Sequence, residues 1–195
     1  EALPSPEDRL ALFETARRLF LWDSYQEIGI DHFAKPEDSM AVAARSGHLR
    51  RNFQGYTDDT CDVLIGLGAS AISRFPQGYA QNASSTAAYQ KAVRAGEMAT
   101  GRGHAFKGED RLRARMIEML MCEFRIDSGQ ITQEFRLAPT RLTELYTAAV
   151  DQFPGMVRIT PDGFDILPEG RPLARMIARA FDEYEMRAEG HSSAI

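Results

Sequence analysis

Cysteine is scarce: Cys61 and Cys122 are the whole complement. Two thiols cannot build a disulfide framework, a four-cysteine zinc site or a complete iron–sulfur cluster. Positive charge is also short. Lys and Arg number 23 against 28 Asp and Glu, a net charge of −5, which argues against broad, non-specific binding to nucleic acid. No apolar run approaches the ~18–20 residues that a membrane-spanning helix needs. Internal repeats and low-complexity tracts are absent. The first residue is Glu1, not Met, and no basic-then-apolar leader precedes it, so an upstream segment is expected. What is present is a globular composition, 44% hydrophobic and 26% charged over 195 residues. That suffices for one ordinary domain or two small ones.

Local patterns divide the chain. Ser5 is a good N-cap, Pro6 suits the first helical position, and Glu7 and Asp8 favour the positive end of the helix dipole. Leu10, Phe13, Ala16, Phe20 and Leu21 follow at helical spacing, which predicts a helix over about 6–22. Residues 25–30 read as a short strand. Pro36-Glu37-Asp38 opens a second helix to about Ser46, with Gly47 as its stop. Residues 49–83, with Gly55, Gly66, Gly68 and Gly78 among aromatics, read as short strands and close-approach loops. Ser84 and Ser85 cap a helix to about 98. Helices alternating with strands over 1–100 predict βα units and a parallel sheet.

The Gly-rich stretch 99–108 reads as a connector and a domain boundary, dividing the chain into 1–100 and 101–195. Beyond it, helices are expected at about 109–123, 128–136 and 139–152. Strands Met156–Thr160 and Phe164–Leu167 follow, joined by the turn Pro161-Asp162-Gly163. A last helix is expected over about 170–187. Three helices and a hairpin are the order of a winged helix-turn-helix. The helix at 140–152, however, carries Arg141 against Glu144 and Asp151, whereas DNA readers need cations for phosphates. A packing or lid domain is the better reading. The fold class is therefore α/β, then mainly α.

Candidate chemistry is weighed against plain packing at each point. Gly66-Leu67-Gly68-Ala69-Ser70 looks like part of a phosphate loop but lacks the third glycine of the dinucleotide fingerprint and the Gly-Lys of a P-loop. It reads better as a strand end. Asp31 beside His32, just after a strand, can orient an imidazole; a packed histidine beside a turn aspartate is the plainer reading. Asn52-Phe53-Gln54-Gly55-Tyr56-Thr57 mixes aromatics, which stack on planar ligands, with amides, which read them; a turn holding two core aromatics is as good a reading. His48, His104 and His191 have no partner at metal-ligand spacing. Cys61 and Cys122 read as ordinary thiols. Met116, Met119 and Met121 read as core filler. Arg111, Arg113 and Arg115 spread around their helix and are expected to be solvated. Arg171, Arg175 and Arg179 share a face, available to pair with acidic groups.

Four segments in order, Gly29–Pro36, Arg51–Thr57, Gly66–Ser73 and Tyr79–Asn82, resemble the oxygen-independent coproporphyrinogen III oxidases, radical S-adenosylmethionine (SAM) enzymes of heme synthesis. The resemblance covers the whole chain, including the ending His191–Ile195, and is most specific over 29–82. It implies a 4Fe–4S cluster bound through CxxxCxxC in an N-terminal partial (β/α) barrel, SAM cleaved to a 5′-deoxyadenosyl radical, and hydrogen abstraction from propionate side chains. Two propionates of coproporphyrinogen III then become vinyls, giving protoporphyrinogen IX. A helical C-terminal domain covers the barrel mouth.

This chain has neither CxxxCxxC nor the Gly-Gly-Thr stretch that holds the methionine end of SAM; both would lie upstream. The resemblance thus implies the last βα units of the barrel followed by a winged-helix-like lid, inactive alone. By the same resemblance, Phe53 and Gln54 are catalytic positions and Ile72 contacts bound SAM. Asp31 and His32 are weaker candidates for the substrate pocket. The chain itself holds no metal ligand. An arginine near the mouth would suit the four propionates, with Arg50, Arg51 and Arg74 open. Expected partners are coproporphyrinogen III, the protein's own N-terminal half and an electron donor such as flavodoxin. A cytoplasmic monomer, with no nucleic acid and no membrane, is implied for the complete enzyme. The alternatives are a relative binding heme or another tetrapyrrole, or a winged-helix binding module.

Overall fold

The computed structural model describes residues 3–184. Its first helix, α1 (Pro6–Trp22), begins as its cap predicts. The Ser5 hydroxyl accepts from the Asp8 backbone N–H, and the Asp8 carboxylate accepts from that of Ser5, which satisfies donors a helix start leaves orphaned. No residue of α1 is buried. Leu10, Leu12, Leu19 and Trp22 are all exposed, while Phe20 stacks on Phe33.

Next come strands β1 (Gln26–Ile28) and β2 (His32–Ala34), helix α2 (Ser39–Arg45) capped by Asp38, and strands β3 (Arg50–Arg51) and β4 (Tyr56–Thr57). Strands β5 (Ile72–Phe75) and β6 (Gly78–Asn82), helix α3 (Thr86–Arg94) capped by Ser85, and strand β7 (Thr100–Ala105) follow. The remainder is α4 (Asp110–Glu123), β8 (Arg125–Asp127), α5 (Ser128–Phe135), α6 (Pro139–Gln152), β9 (Val157–Thr160), β10 (Gly163–Ile166), a 3₁₀ turn (Pro168–Leu173) and α7 (Ala174–Arg179).

Four expectations need correction. Every strand pair among the described residues is antiparallel, so the described residues form no parallel sheet. Strands β1–β2, β3–β4, β5–β6 and β9–β10 are joined by short connections, where only antiparallel pairing is possible; β6–β7 and β8–β10 pair antiparallel across longer connections that hold helices. The Gly-rich connector is instead mostly strand β7, paired along β6. Glycine is needed there for close approach: a Cβ on Gly103 would meet the Tyr79 carbonyl oxygen at 2.8 Å. Strand β8 was not anticipated, and it pairs with β10 so that the small sheet runs β8-β10-β9. The final helix is broken into a 3₁₀ turn and α7, with Pro172 inside the former; residues 185–187 of the expected helix lie outside the described residues, as do His191 and the ending His191–Ile195.

The chain forms two compact units, Glu1–Asp58 with Leu112–Ile195, and Asp59–Arg111. The expected division fell at 100/101. In the first unit the main core gathers α4, α5, α6, α7 and the β8-β10-β9 sheet around Phe164, Phe181, Met116, Met119 and Ile131, each at most 1% exposed. Each such side chain contributes roughly 1.5–3 kcal/mol by leaving water. Met121 joins them, so the methionines are core. Arg113 and Arg115 are not solvated as expected. Their side chains are 14% and 11% exposed, held by the Phe181 carbonyl and by Glu118. Helical spacing alone cannot show that a charged side chain lies along a packed face. A smaller cluster joins Ile28, Ala34, Ala41, Leu49, Tyr56 and Cys122.

In the second unit, β5, β6 and β7 form one antiparallel sheet. Its Gly66–Gly68 loop is tied from within. The Asn82 side-chain amide donates to the carbonyls of Gly66 and Gly68, the Gly66 N–H donates to Ser73 Oγ, and the Gly68 N–H donates to the Tyr89 hydroxyl. With these amides spent, the loop is not a phosphate cradle. It is a loop between the isolated bridge at Leu64 and strand β5.

Candidate active site

The site builds up from one tyrosine. Tyr56 starts β4, and its ring is buried under the β1–β2 turn. Its hydroxyl accepts from the Ile30 N–H at 2.9 Å and donates to the Met121 carbonyl at 2.8 Å. Burial pushes the Tyr56 phenol above its ordinary pKa, so it stays protonated and keeps both bonds. The fit requires glycine at 29: that residue has φ +58°, and a Cβ there would sit 2.1 Å from the Tyr56 ring.

On this support the β1–β2 turn presents Asp31 and His32. Asp31 Oδ1 lies 2.8 Å from His32 Nδ1, and its other oxygen accepts from Arg175 of α7 at 2.7 Å. The His32 ring meets the Tyr56 ring edge-on, with centroids 4.9 Å apart. With Nδ1 facing a carboxylate, Nε2 is the nitrogen left to act, and it lies 3.5 Å from where a Cβ on Gly55 would sit. The setting differs from the expected one: Asp31 ends a hairpin turn and His32 opens β2, and neither follows a parallel strand.

The second arm is the β3–β4 connection. Asn52 Oδ1 accepts from the Gln54 and Gly55 N–H groups, and the Asn52 N–H donates to the Gly55 carbonyl. This closed turn holds Phe53 and Gln54 at the surface; Phe53 is 54% exposed. The Gln54 side-chain amide makes no hydrogen bond to any described residue. The structure therefore sets the Asp31–His32 pair against Tyr56, with Phe53 and Gln54 in the turn that leads into Tyr56. Ile72 belongs to the second unit, half-buried in β5 opposite Gln81. Residue-level reasoning missed Tyr56 as the support. It placed Arg175 on a face available to acidic groups, but no local signal could name Asp31, 144 positions away, as its partner.

Both cysteines are free thiols. Cys61 is exposed in the second unit and Cys122 is buried in the first, its thiol pushed up to about 12 chiefly by burial. Among the described residues no group of three or more His, Cys, Asp or Glu can hold a metal ion. These residues do not fit an iron–sulfur cluster.

No family model matches the chain. It is 58% identical over 184 residues to the oxygen-independent coproporphyrinogen III oxidase of Cereibacter sphaeroides, covering 94% of this chain and 41% of that protein. To the enzyme of the same name from Paracoccus denitrificans it is 57% identical over 195 residues, all of this chain and 43% of the other. Over its whole length the chain is therefore similar to oxygen-independent coproporphyrinogen III oxidases. It spans about two-fifths of the length of these relatives and corresponds to their C-terminal part. A solved coproporphyrinogen III oxidase of Escherichia coli, described as a radical SAM enzyme, matches with a TM-score of 0.82 and 36% identity over 94% of this chain and 43% of that one. The mixed α/β fold is thus one found in this oxidase family. No described helix is long and apolar enough to cross a membrane.

Proposed function

We propose that this chain is the C-terminal part of an enzyme that oxidatively decarboxylates two propionates of coproporphyrinogen III, giving protoporphyrinogen IX. The observation that carries the reading is 57% identity along the entire chain to a relative of that name. The reaction needs an upstream half that brings the cluster, because the two cysteines here are too few to hold one. SAM, when bound, supplies the hydrogen-abstracting chemistry. Ile72 offers an apolar wall beside SAM. Phe53 and Gln54 supply an exposed ring and an unspent amide, which suit a planar ligand with hydrogen-bonding edges. Asp31 and His32 line the tetrapyrrole side, with Asp31 setting which nitrogen His32 presents. The α4–α7 region, whose order of helix, strand, two helices and hairpin is winged-helix-like, acts as the lid beside the last barrel units. A cytoplasmic enzyme, monomeric when complete and reduced by a flavodoxin-like donor, completes the reading.

Anaerobic purification of the full-length protein tests it. About four irons per chain and conversion of coproporphyrinogen III are expected. Gln54→Ala and Ile72→Asp each lower turnover at least tenfold while iron content is unchanged. Wild-type turnover in both variants would remove these residues from the site.

A further inference from the structure

The substrate of the reading above is a polyanion, and one cation in this chain is placed to meet it. We infer that Arg51 is the arginine that binds a propionate carboxylate, with the Tyr56 ring as its seat. This rests on the proposed function and decides which arginine serves it.

The argument starts from register. Arg51 and Tyr56 are directly opposed in the β3–β4 pair, so their side chains leave the same face of the ribbon. The guanidinium carbon sits 5.6 Å from the Tyr56 ring centroid, a cation–π separation. Between the two residues lies the tight turn that carries Phe53 and Gln54. The cation therefore stands at the root of the loop on which the reaction is proposed to depend.

Its bonding is incomplete. Arg51 Nε is buried without a hydrogen-bond partner, and among the described residues no carboxylate pairs with the guanidinium. A buried unsatisfied N–H is costly and calls for an explanation. Nearby arginines are committed: Arg175 to Asp31, Arg115 to Glu118, Arg45 to Gln26 and the Pro36 carbonyl. Arg50 donates to the Leu49 carbonyl and lies within electrostatic reach of the Glu123 carboxylate. The Glu118 carboxylate accepts from the Arg51 backbone N–H but is ion-paired with Arg115; the Arg51 guanidinium itself makes no ion pair among the described residues, and Arg51 is only partly buried, so a carboxylate can reach its terminal nitrogens. A planar fork is the geometry that grips a carboxylate by two parallel bonds. The seat on Tyr56 fixes one face of that fork, which limits the entropy lost when the anion binds.

Arg74 is the rival. It follows Ile72 by two positions in β5, so both lie on one face of that strand.

The test uses the full-length protein and two stable porphyrins, coproporphyrin III with four carboxylates and etioporphyrin with none, titrated by fluorescence quenching. Arg51→Gln is expected to raise the coproporphyrin III Kd about tenfold, Arg51→Lys by roughly a third of that factor, and neither to change etioporphyrin binding or iron content. Arg74→Gln leaves both affinities as in the wild type. Equal loss for the two porphyrins in Arg51→Gln, or a loss confined to Arg74→Gln, would overturn the assignment. Wild-type protein that binds neither porphyrin and converts no porphyrinogen would instead overturn the function on which it rests.

Discussion

Tyr56 shows how one side chain can hold a site without taking part in it. Its hydroxyl is the partner of two backbone groups from distant elements, the Ile30 N–H and the Met121 carbonyl. Tyr56→Phe leaves both without that partner, and each buried orphan costs about 1–3 kcal/mol. The variant should unfold at clearly lower urea and should lose site geometry before it loses the main core, because Phe164 and its neighbours are untouched. Urea titration followed by circular dichroism checks the first point. Glu123, at the end of α4, makes a different prediction. Burial pushes its carboxyl above the ordinary 4.5, against the pull of Arg115, Arg125 and Arg50. The folded state then binds the proton more tightly than the unfolded state. Stability tied to this group is complete below pH 4.5 and is lost as pH rises through the raised value. Glu123→Gln should therefore flatten the fall in stability over that window, measurable as midpoint against pH.

At the scale of elements, legibility followed locality. Helix α1 was readable to its ends because capping is decided within four residues. The same holds for the Ser85 cap and for the β9–β10 turn, whereas α2 starts at Ser39 with Asp38 as its cap rather than inside it. Strand β7 was not readable, since its glycines look like a linker until β6 is laid beside them. The loop at Gly66–Gly68 makes the same point. Its phosphate-like spelling is overruled by Asn82, which belongs to the neighbouring strand and spends its amide on two loop carbonyls. Asn82→Ala should destabilise the second unit by about 1–2 kcal/mol and raise hydrogen exchange at residues 66–68, while the amides of α5 and α6 keep their protection. Unchanged exchange at those residues would show that the loop is held by the Ser73 and Tyr89 bonds alone.

The molecule as a whole leaves apolar surface uncovered. α1 buries no residue, and Trp22, the sole tryptophan of the sequence, is 85% exposed. Contiguous exposed apolar groups mark interaction surfaces. If the upstream half of the proposed enzyme covers α1, Trp22 fluorescence reports it. The chain alone should emit as a water-exposed indole and be readily quenched by acrylamide. Adding the upstream half in trans should shift the emission to shorter wavelength and protect it. Emission that does not respond would place the cover of α1 elsewhere. The acidic balance has a consequence too: α6 pairs Arg141 with Glu144, and no salt-sensitive DNA binding is expected from it.

Sequence by itself determined the Ser5 and Ser85 caps, the spans of α4, α5 and α6, the core methionines and the resemblance to the oxidases. These depend on neighbours a few positions apart, or on motifs spelled out contiguously, as at Gly29–Pro36 and Arg51–Thr57. Tertiary structure decided the strand pairing, the division into units and the partners of charge. Asp31 meets Arg175 across 144 positions, and the Arg51 guanidinium finds its seat on Tyr56 but no carboxylate among the described residues. Such pairings are set by which faces the folded backbone brings together. A linear spelling holds the donors and the acceptors, and only the fold says which of them meet.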